Sequence, residues 1–258
     1  MGAPENSLKA ALLQDRVSVG LWLALRSGGI AEMAANAGFD WCLIDAEHGP
    51  NSDADILRQL QAMNGSSAAP VVRLPAGEDW MIKRALDLGA QSLMIPMVES
   101  VGQARALVRA TRYPPVGIRG VGAGLTRASG YGATQDYLAT ADAEICLITQ
   151  IETASAVARI PEIAAVDGVD VLFIGPSDLA ADMGCLGRPD VPKVENRIRD
   201  ALTAIRDAGK VAGVFTPNLA EAERYAGWGA RFIGVGSDTR VLSTALTELA
   251  RNTGNKLR

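Results

Sequence analysis

The sequence predicts one closed (β/α)8 barrel, a TIM barrel, with residues 1–258 forming a single domain. Three observations carry that expectation. Short β-rich runs alternate with Ala/Leu/Arg/Glu stretches at helical spacing, and this strand–helix unit recurs eight times. Several helical stretches stop at a glycine just before the next strand, as at Gly38, Gly89, Gly209 and Gly229, where a left-handed backbone can end a helix. A length of 258 residues fits a barrel of this kind, which runs near ~250 residues. The competing architecture is an open, doubly wound sheet. Against it, no Gly-x-Gly-x-x-Gly turn follows the first strand, and the glycine string Arg119–Gly124 opens no helix.

A short leading helix is expected near Ser7–Gln14. The first strand is the apolar run Val17–Leu25, followed by a helix over Ile30–Ala37. Strand two, Trp41–Glu47, precedes a helix over Ala54–Met63, and strand three, Pro70–Leu74, a helix over Asp79–Leu88. Strand four, Ser92–Val98, leads to a helix over Val101–Thr111. The second half repeats the pattern with strands Ile145–Glu152, Val169–Ile174, Val211–Thr216 and Phe232–Gly236. Its helices are Ala154–Val166, Val194–Ala208, Ala220–Gly227 and Val241–Arg251. The one long irregular segment, Tyr113–Asp142, is read as following strand four and is therefore expected on or near the catalytic face or at a subunit contact.

Composition excludes several classes. A hydrophobic content of 48% supports a large core, and 5% aromatics makes that core mainly Ala, Leu, Val and Ile. A net charge of -4 leaves no basic footprint for nucleic acid, since Arg119 and Arg127 in one glycine-rich loop are too few. The apolar runs are strand-length, so no membrane span is expected, and the polar start lacks a signal-peptide core. Cys42, Cys146 and Cys185 are odd in number and widely spaced. They read as reduced thiols in a cytoplasmic protein, neither a disulfide framework nor a zinc site.

Function in such barrels sits at the C-terminal ends of the strands. Those ends are Asp45-Ala46-Glu47-His48, Arg73-Leu74-Pro75, Pro96–Glu99, Gln150-Ile151-Glu152, Gly175-Pro176-Ser177-Asp178, Phe215–Asn218 and Gly236–Arg240. His48 is the single histidine of the chain and is therefore the one imidazole candidate for proton transfer; its bland alternative is a solvated loop residue. Glu152 and Asp178 end apolar strands on neighbouring staves and suit a hard divalent cation, Mg²⁺ or Mn²⁺; the alternative is that both cap helices. Arg73 suits an oxo acid and its developing oxyanion, or else a salt bridge to Glu47 or another rim acid. Phe215 is either part of an acceptor pocket or ordinary core. No lysine ends a strand: Lys83 lies mid-helix, Lys210 precedes strand seven, and Lys9, Lys193 and Lys256 are peripheral, which argues against imine chemistry.

These strings, in order and nearly end to end, resemble the HpcH/HpaI family of class II pyruvate aldolases. The resemblance rests on Gly38–Trp41, Asp45–Pro50, Arg73-Leu74-Pro75, Gly117–Gly122, Gln150–Thr153 and Phe173–Leu179. It implies a divalent metal (Mg²⁺ or Mn²⁺, with Co²⁺ a third candidate) on Glu152 and Asp178, with His48 as base and Arg73 holding the keto acid and enolate. Gln150 would be a substrate contact, and the backbone at Ser177 and Asp178 a carboxylate-binding turn. Asp87 matches an acid that raises the basicity of the histidine. Its place late in the third barrel helix leaves two readings open: action across a subunit contact, or Asp45 in that role. The implied activity is reversible cleavage of 4-hydroxy-2-oxo acids to pyruvate or hydroxypyruvate plus an aldehyde. The implied assembly is a hexamer, a trimer of dimers, with the C-terminal helix exchanged. The remaining readings are a citryl- or malyl-thioester lyase, for which no CoA-binding surface is visible, and a non-catalytic metabolite-binding barrel.

Overall fold

The computed structural model describes residues 2–257. In chain order the elements are α1 (Ser7–Leu12), β1 (Ser18–Leu23), α2 (Gly28–Ala35), β2 (Trp41–Asp45), α3 (Asp53–Ala62), β3 (Ala69–Arg73), α4 (Asp79–Asp87), β4 (Ser92–Ile95) and α5 (Val101–Thr111). There follow α6 (Tyr137–Thr140), β5 (Cys146–Ile151), α7 (Ala154–Val157), α8 (Ile160–Ala164), β6 (Val171–Ile174), α9 (Pro176–Asp182), α10 (Pro192–Asp207), β7 (Val211–Phe215), α11 (Leu219–Gly227), β8 (Ala230–Ser237) and α12 (Asp238–Leu257). The strands pair in sequence order and β8 returns to β1 in parallel, closing the barrel as predicted.

Strand alternation organises everything else. Outward residues such as Cys42, Ile44, Val72, Leu147 and Leu172 join the helices in one large aliphatic shell. Inward residues form a separate cluster, and here the expectation of an aliphatic core needs correcting. The barrel interior is packed by the rings of Trp22, Trp41, Phe173 and Phe232, with Phe215 at its edge. Trp41 stacks on Phe232 at 3.9 Å between centroids, and Trp22 meets Trp41 edge-on at 5.5 Å. Leu43, Val71, Met94, Ile148 and Val171 share this interior, so five rings gather among aliphatic side chains while the overall composition stays poor in aromatics. Glycines make the room: a Cβ on Gly20 or Gly234 would run into the Trp41 or Trp22 ring, and one on Gly213 would lie 2.6 Å from Phe173.

Three other departures have physical reasons. The helix expected over Ala154–Val166 is two short ones, because Pro161 lacks an N–H and is accommodated only in the first turn of a new helix. The Tyr113–Asp142 segment does not lie on the catalytic face of its own barrel. It follows α5, so it belongs to the opposite rim, where Arg127 Nη1 donates to Leu88 O at 2.9 Å and the chain packs near Gln91, Ala69 and Pro70 at strand starts. The last helix is longer than expected, and residues 241–253 along it are exposed, including Val241, Leu242, Leu246 and Leu249. Asp238 anchors its start by accepting from Ala24 N (3.0 Å) and Leu25 N (2.9 Å). No helix of the described residues is long and apolar enough to cross a membrane.

Candidate active site

The inward alternation that packs the rings continues to the strand ends and turns polar there. On β5 the inward series runs Cys146, Ile148, Gln150 and, one step past the strand, Glu152. On β2 and β3 the same face ends in Asp45 and Arg73, which are partners in the sheet register. A cavity of about 430 Å³ opens at this end, and Asp45, His48, Arg73, Gln150, Glu152, Ser177, Asp178 and Phe215 all line it together with Trp22. The four residues on which the catalytic reading depends, His48, Arg73, Glu152 and Asp178, therefore share one mouth, which counts against a merely structural barrel. No lysine of the described residues lines it.

Arg73 is buried and held by two acids. Its Nε and Nη2 donate to Asp45 Oδ1 and Oδ2 at 2.8 and 2.7 Å, a fork-to-fork pair. Glu47 Oε2 lies 2.7 Å from Nη1 but off the N–H direction, so that contact is an ion pair without an aligned hydrogen bond. The salt bridge offered as the alternative role for Arg73 is present, and the guanidinium still keeps N–H capacity on both terminal nitrogens for an anion in the cavity. Its Cζ stands 5.9 Å from the Trp22 ring centroid.

Glu152 is 4% exposed, and each of its oxygens accepts one hydrogen bond: Oε1 from Gln150 Nε2 and Oε2 from the backbone N–H of Met97, both at 2.9 Å. Burial lifts its carboxyl to about 7, and the neighbouring Asp178 and Glu47 push the same way. Burial also raises Glu47, against the pull of Arg73 and His48. Helix capping does not explain the two proposed ligands. Thr153 caps α7, its side chain accepting from Ala156 N, and Gly175 is the N-cap of α9, so Asp178 sits inside the first turn.

A divalent cation fits this donor set. A buried, half-satisfied carboxylate beside two further acids is costly as an anion and favourable as a ligand. The buried Oε1 of Gln150, which has no hydrogen-bond partner, is one more acceptor facing the same need. The donors are hard oxygens, the kind Mg²⁺ and Mn²⁺ take, and such ions are commonly held by only one or two carboxylates. Among the described residues no cluster of three or more His, Cys, Asp or Glu gathers into a full metal cage, so the remaining positions would fall to substrate and water.

His48 is exposed, its Nε2 3.8 Å from Glu47 Oε1. Asp45 holds its backbone, Oδ1 accepting from His48 N at 3.3 Å as well as from Arg73, and its contact with His48 is to the main chain. Asp87 is not brought to the mouth of its own barrel: it ends α4 and pairs with Arg119 Nη2 at 3.1 Å on the other rim. Sequence reasoning missed two backbone devices. Met97 adopts a left-handed φ of 53°, which aims its N–H at Glu152, and a Cβ on Gly175 would fall 2.6 Å from Glu152 Oε1. A positive φ at methionine leaves no trace in residue type.

Comparisons with known proteins converge on one family. The family model described as HpcH/HpaI aldolase/citrate lyase matches residues 18–245. A hydroxypyruvate/pyruvate aldolase of Roseovarius nubinhibens is 50% identical over 252 residues, covering 97% of this chain and 98% of the relative. A 4-hydroxy-2-oxo-heptane-1,7-dioate aldolase of Shigella flexneri is 49% identical, covering 97% of this chain and 94% of that protein. Among solved structures, a HpcH/HpaI aldolase/citrate lyase family protein from Burkholderia cenocepacia superposes with a TM-score of 0.92 at 43% identity, covering 96% of this chain and 99% of that one.

Proposed function

The chain belongs to the HpcH/HpaI aldolase/citrate lyase family, and from that premise we propose that it is a divalent-metal-dependent aldolase that reversibly cleaves 4-hydroxy-2-oxo acids to pyruvate or hydroxypyruvate and an aldehyde. The observation that carries this reading is the convergence of His48, Arg73, Glu152 and Asp178 on one cavity.

Glu152 and Asp178 hold the cation, Mg²⁺ or Mn²⁺ with Co²⁺ a third candidate. When bound, it supplies Lewis-acid withdrawal of electrons from the substrate's oxo group. Arg73, fixed by Asp45 and Glu47, presents its guanidinium where negative charge develops on the oxo oxygen as the C3–C4 bond breaks. Gln150, locked onto Glu152, contacts the oxo acid, and the N–H groups of Ser177 and Asp178 in the first turn of α9 receive its carboxylate. His48 takes the proton of the C4 hydroxyl during cleavage and returns it during addition. Phe215 walls the aldehyde end.

Asp87 would serve only a neighbouring subunit's His48, since its own lies across the barrel. The bare apolar side of α12 supports the exchange of this helix between subunits, within a hexamer built as a trimer of dimers; light scattering of the purified protein measures the assembly. Buried free thiols at Cys42 and Cys146 support a cytoplasmic site of action.

The decisive measurement is cleavage of a panel of 4-hydroxy-2-oxo acids with EDTA and with Mg²⁺, Mn²⁺ or Co²⁺ restored. Turnover should vanish with chelator and return with metal, and full chelator-resistant turnover overturns the metal assignment. His48→Ala should lower kcat by about 10²–10⁴-fold and remove any histidine ionisation from the pH–rate profile, there being no second imidazole. Binding of a CoA thioester would instead favour the thioester lyase.

A further inference from the structure

A second, smaller cavity of about 250 Å³ adjoins the mouth and shares Pro176, Ser177 and Phe215 with it. Its far side is formed by Thr216 and Pro217 after β7, by Glu221 and Tyr225 of α11, and by Asp190 and Glu195 around the start of α10. Whole-ligand sites typically reach ~300–1,000 Å³. This space suits the tail of a molecule whose reacting end lies in the mouth. Phe215 is the shared wall. Its ring stands 5.0 Å from Trp22 on the mouth side, so a substrate passing it leaves the reaction centre for the annex.

The annex has a definite chemistry. Three carboxylates line it and no lysine, arginine or histidine does. Glu195 is neutralised from outside by an ion pair with Arg224. Glu221 receives only a neutral hydroxyl, Thr216 Oγ1 donating to its Oε2 at 2.6 Å. Tyr225 is 3% exposed, and burial, with Glu221 adding to it, pushes its phenol up to about 12, so it stands as a neutral hydroxyl at this wall. The walls thus offer acceptors for hydroxyl hydrogens, apolar proline and phenylalanine surfaces for C–H groups, and no cationic side chain to pair an anion.

Resting on the aldolase reading above, we propose that this annex is the acceptor-tail subsite and that it selects short, uncharged, hydroxylated aldehydes over aldehydes ending in a carboxylate or phosphate. A hydroxylated tail donates to Glu221 and Asp190, whereas an anionic tail meets the like charges of those two carboxylates, an arrangement that interfaces use to reject wrong partners.

The test is aldol addition by the metal-loaded enzyme, with pyruvate as donor and glyceraldehyde, succinic semialdehyde or glyceraldehyde 3-phosphate as acceptor. The native enzyme should favour glyceraldehyde over both anionic acceptors by about tenfold or more in kcat/KM. Glu221→Gln and Asp190→Asn should each narrow that gap by lowering KM for succinic semialdehyde, a gain that a misfolded variant cannot mimic. Equal or reversed preference in the native enzyme overturns the proposal, as does a gap that neither variant narrows. Deuterium exchange into the pyruvate methyl group, followed by NMR without any acceptor, separates the two levels. Exchange with no acceptor discrimination sinks the subsite alone, and no exchange sinks the aldolase reading and the subsite with it.

Discussion

Two guanidiniums are buried in this barrel, on opposite rims, and their surroundings differ in kind. Arg73 at the mouth has three acidic oxygens within 2.8 Å and borders a cavity. Arg119 at the base is sealed, with no exposed side-chain surface. It lies between the rings of Tyr113 (4.5 Å) and Tyr137 (6.0 Å), pairs with Asp87 at 3.1 Å, and leaves Nε and Nη1 without acceptors. The first is overdetermined by charge, as a group must be if it is to hold still while charge develops beside it. The second is held mainly by ring faces and packing. The two burials therefore differ in what accompanies them: acids and a cavity at Arg73, ring faces and packing at Arg119.

The sharpest separation of the two rims should come from the mouth carboxylate. Glu152→Ala should reduce cleavage by about a thousandfold or more, because both the proposed metal ligand and the anchor of Gln150 go. Measured kcat within about tenfold of native would break the comparison at its root. Next is a matched pair of unfolding titrations. Arg73→Met strands the buried Asp45 carboxylate and should cost about 3–5 kcal/mol. Arg119→Met exchanges a half-satisfied cation for an apolar chain of similar reach, and its partner Asp87 has partial access to water, so the change should stay within about 2 kcal/mol of native. Equal losses would mean that Arg119 is as firmly paired as Arg73.

A smaller effect is pH-dependent. The Glu152 carboxyl stands near 7 in the fold against 4.5 ordinarily. Between those values the folded protein holds a proton that the unfolded chain has released, so this group's contribution to stability is complete below about 4.5, declines as pH rises toward 7, and is then constant. In metal-free protein the melting temperature of Glu152→Gln should therefore gain on the wild type across that window, and saturating metal should remove the wild type's decline. A parallel pair of melting curves would show the carboxylate to be solvated. Smallest of all, Arg127→Ala at the base removes one hydrogen bond, to Leu88 O, and should cost about 1 kcal/mol in denaturant unfolding.

Much of the mouth was legible because strand periodicity is legible. Once Cys146, Ile148 and Gln150 are read as one face, Glu152 follows, and the same holds for Asp45 and Arg73. What escaped is what depends on direction in three dimensions. The Tyr113–Asp142 segment follows the fourth unit in sequence, yet it leaves a helix rather than a strand, and that alone sends it to the base. Asp87 is the counter-example: its place late in a helix already set it apart from its own mouth, and there it lies. Met97 contributes through its backbone, so its residue type says nothing. The interior rings were hidden by composition, since an average over 258 residues dilutes five that stand together.

Those rings, tight against Gly20, Gly213 and Gly234, have a kinetic consequence. They stop the barrel like a cork, so substrate enters and both products leave by the same door. In the proposed reading the oxo-acid end would reach inward to buried Gln150 and Glu152, with the aldehyde end outward past Phe215. Release is then a queue: the aldehyde departs first and the oxo acid last, and in synthesis the order reverses. Product-inhibition plots should show the oxo acid competing with the 4-hydroxy-2-oxo acid for free enzyme, and the aldehyde acting noncompetitively.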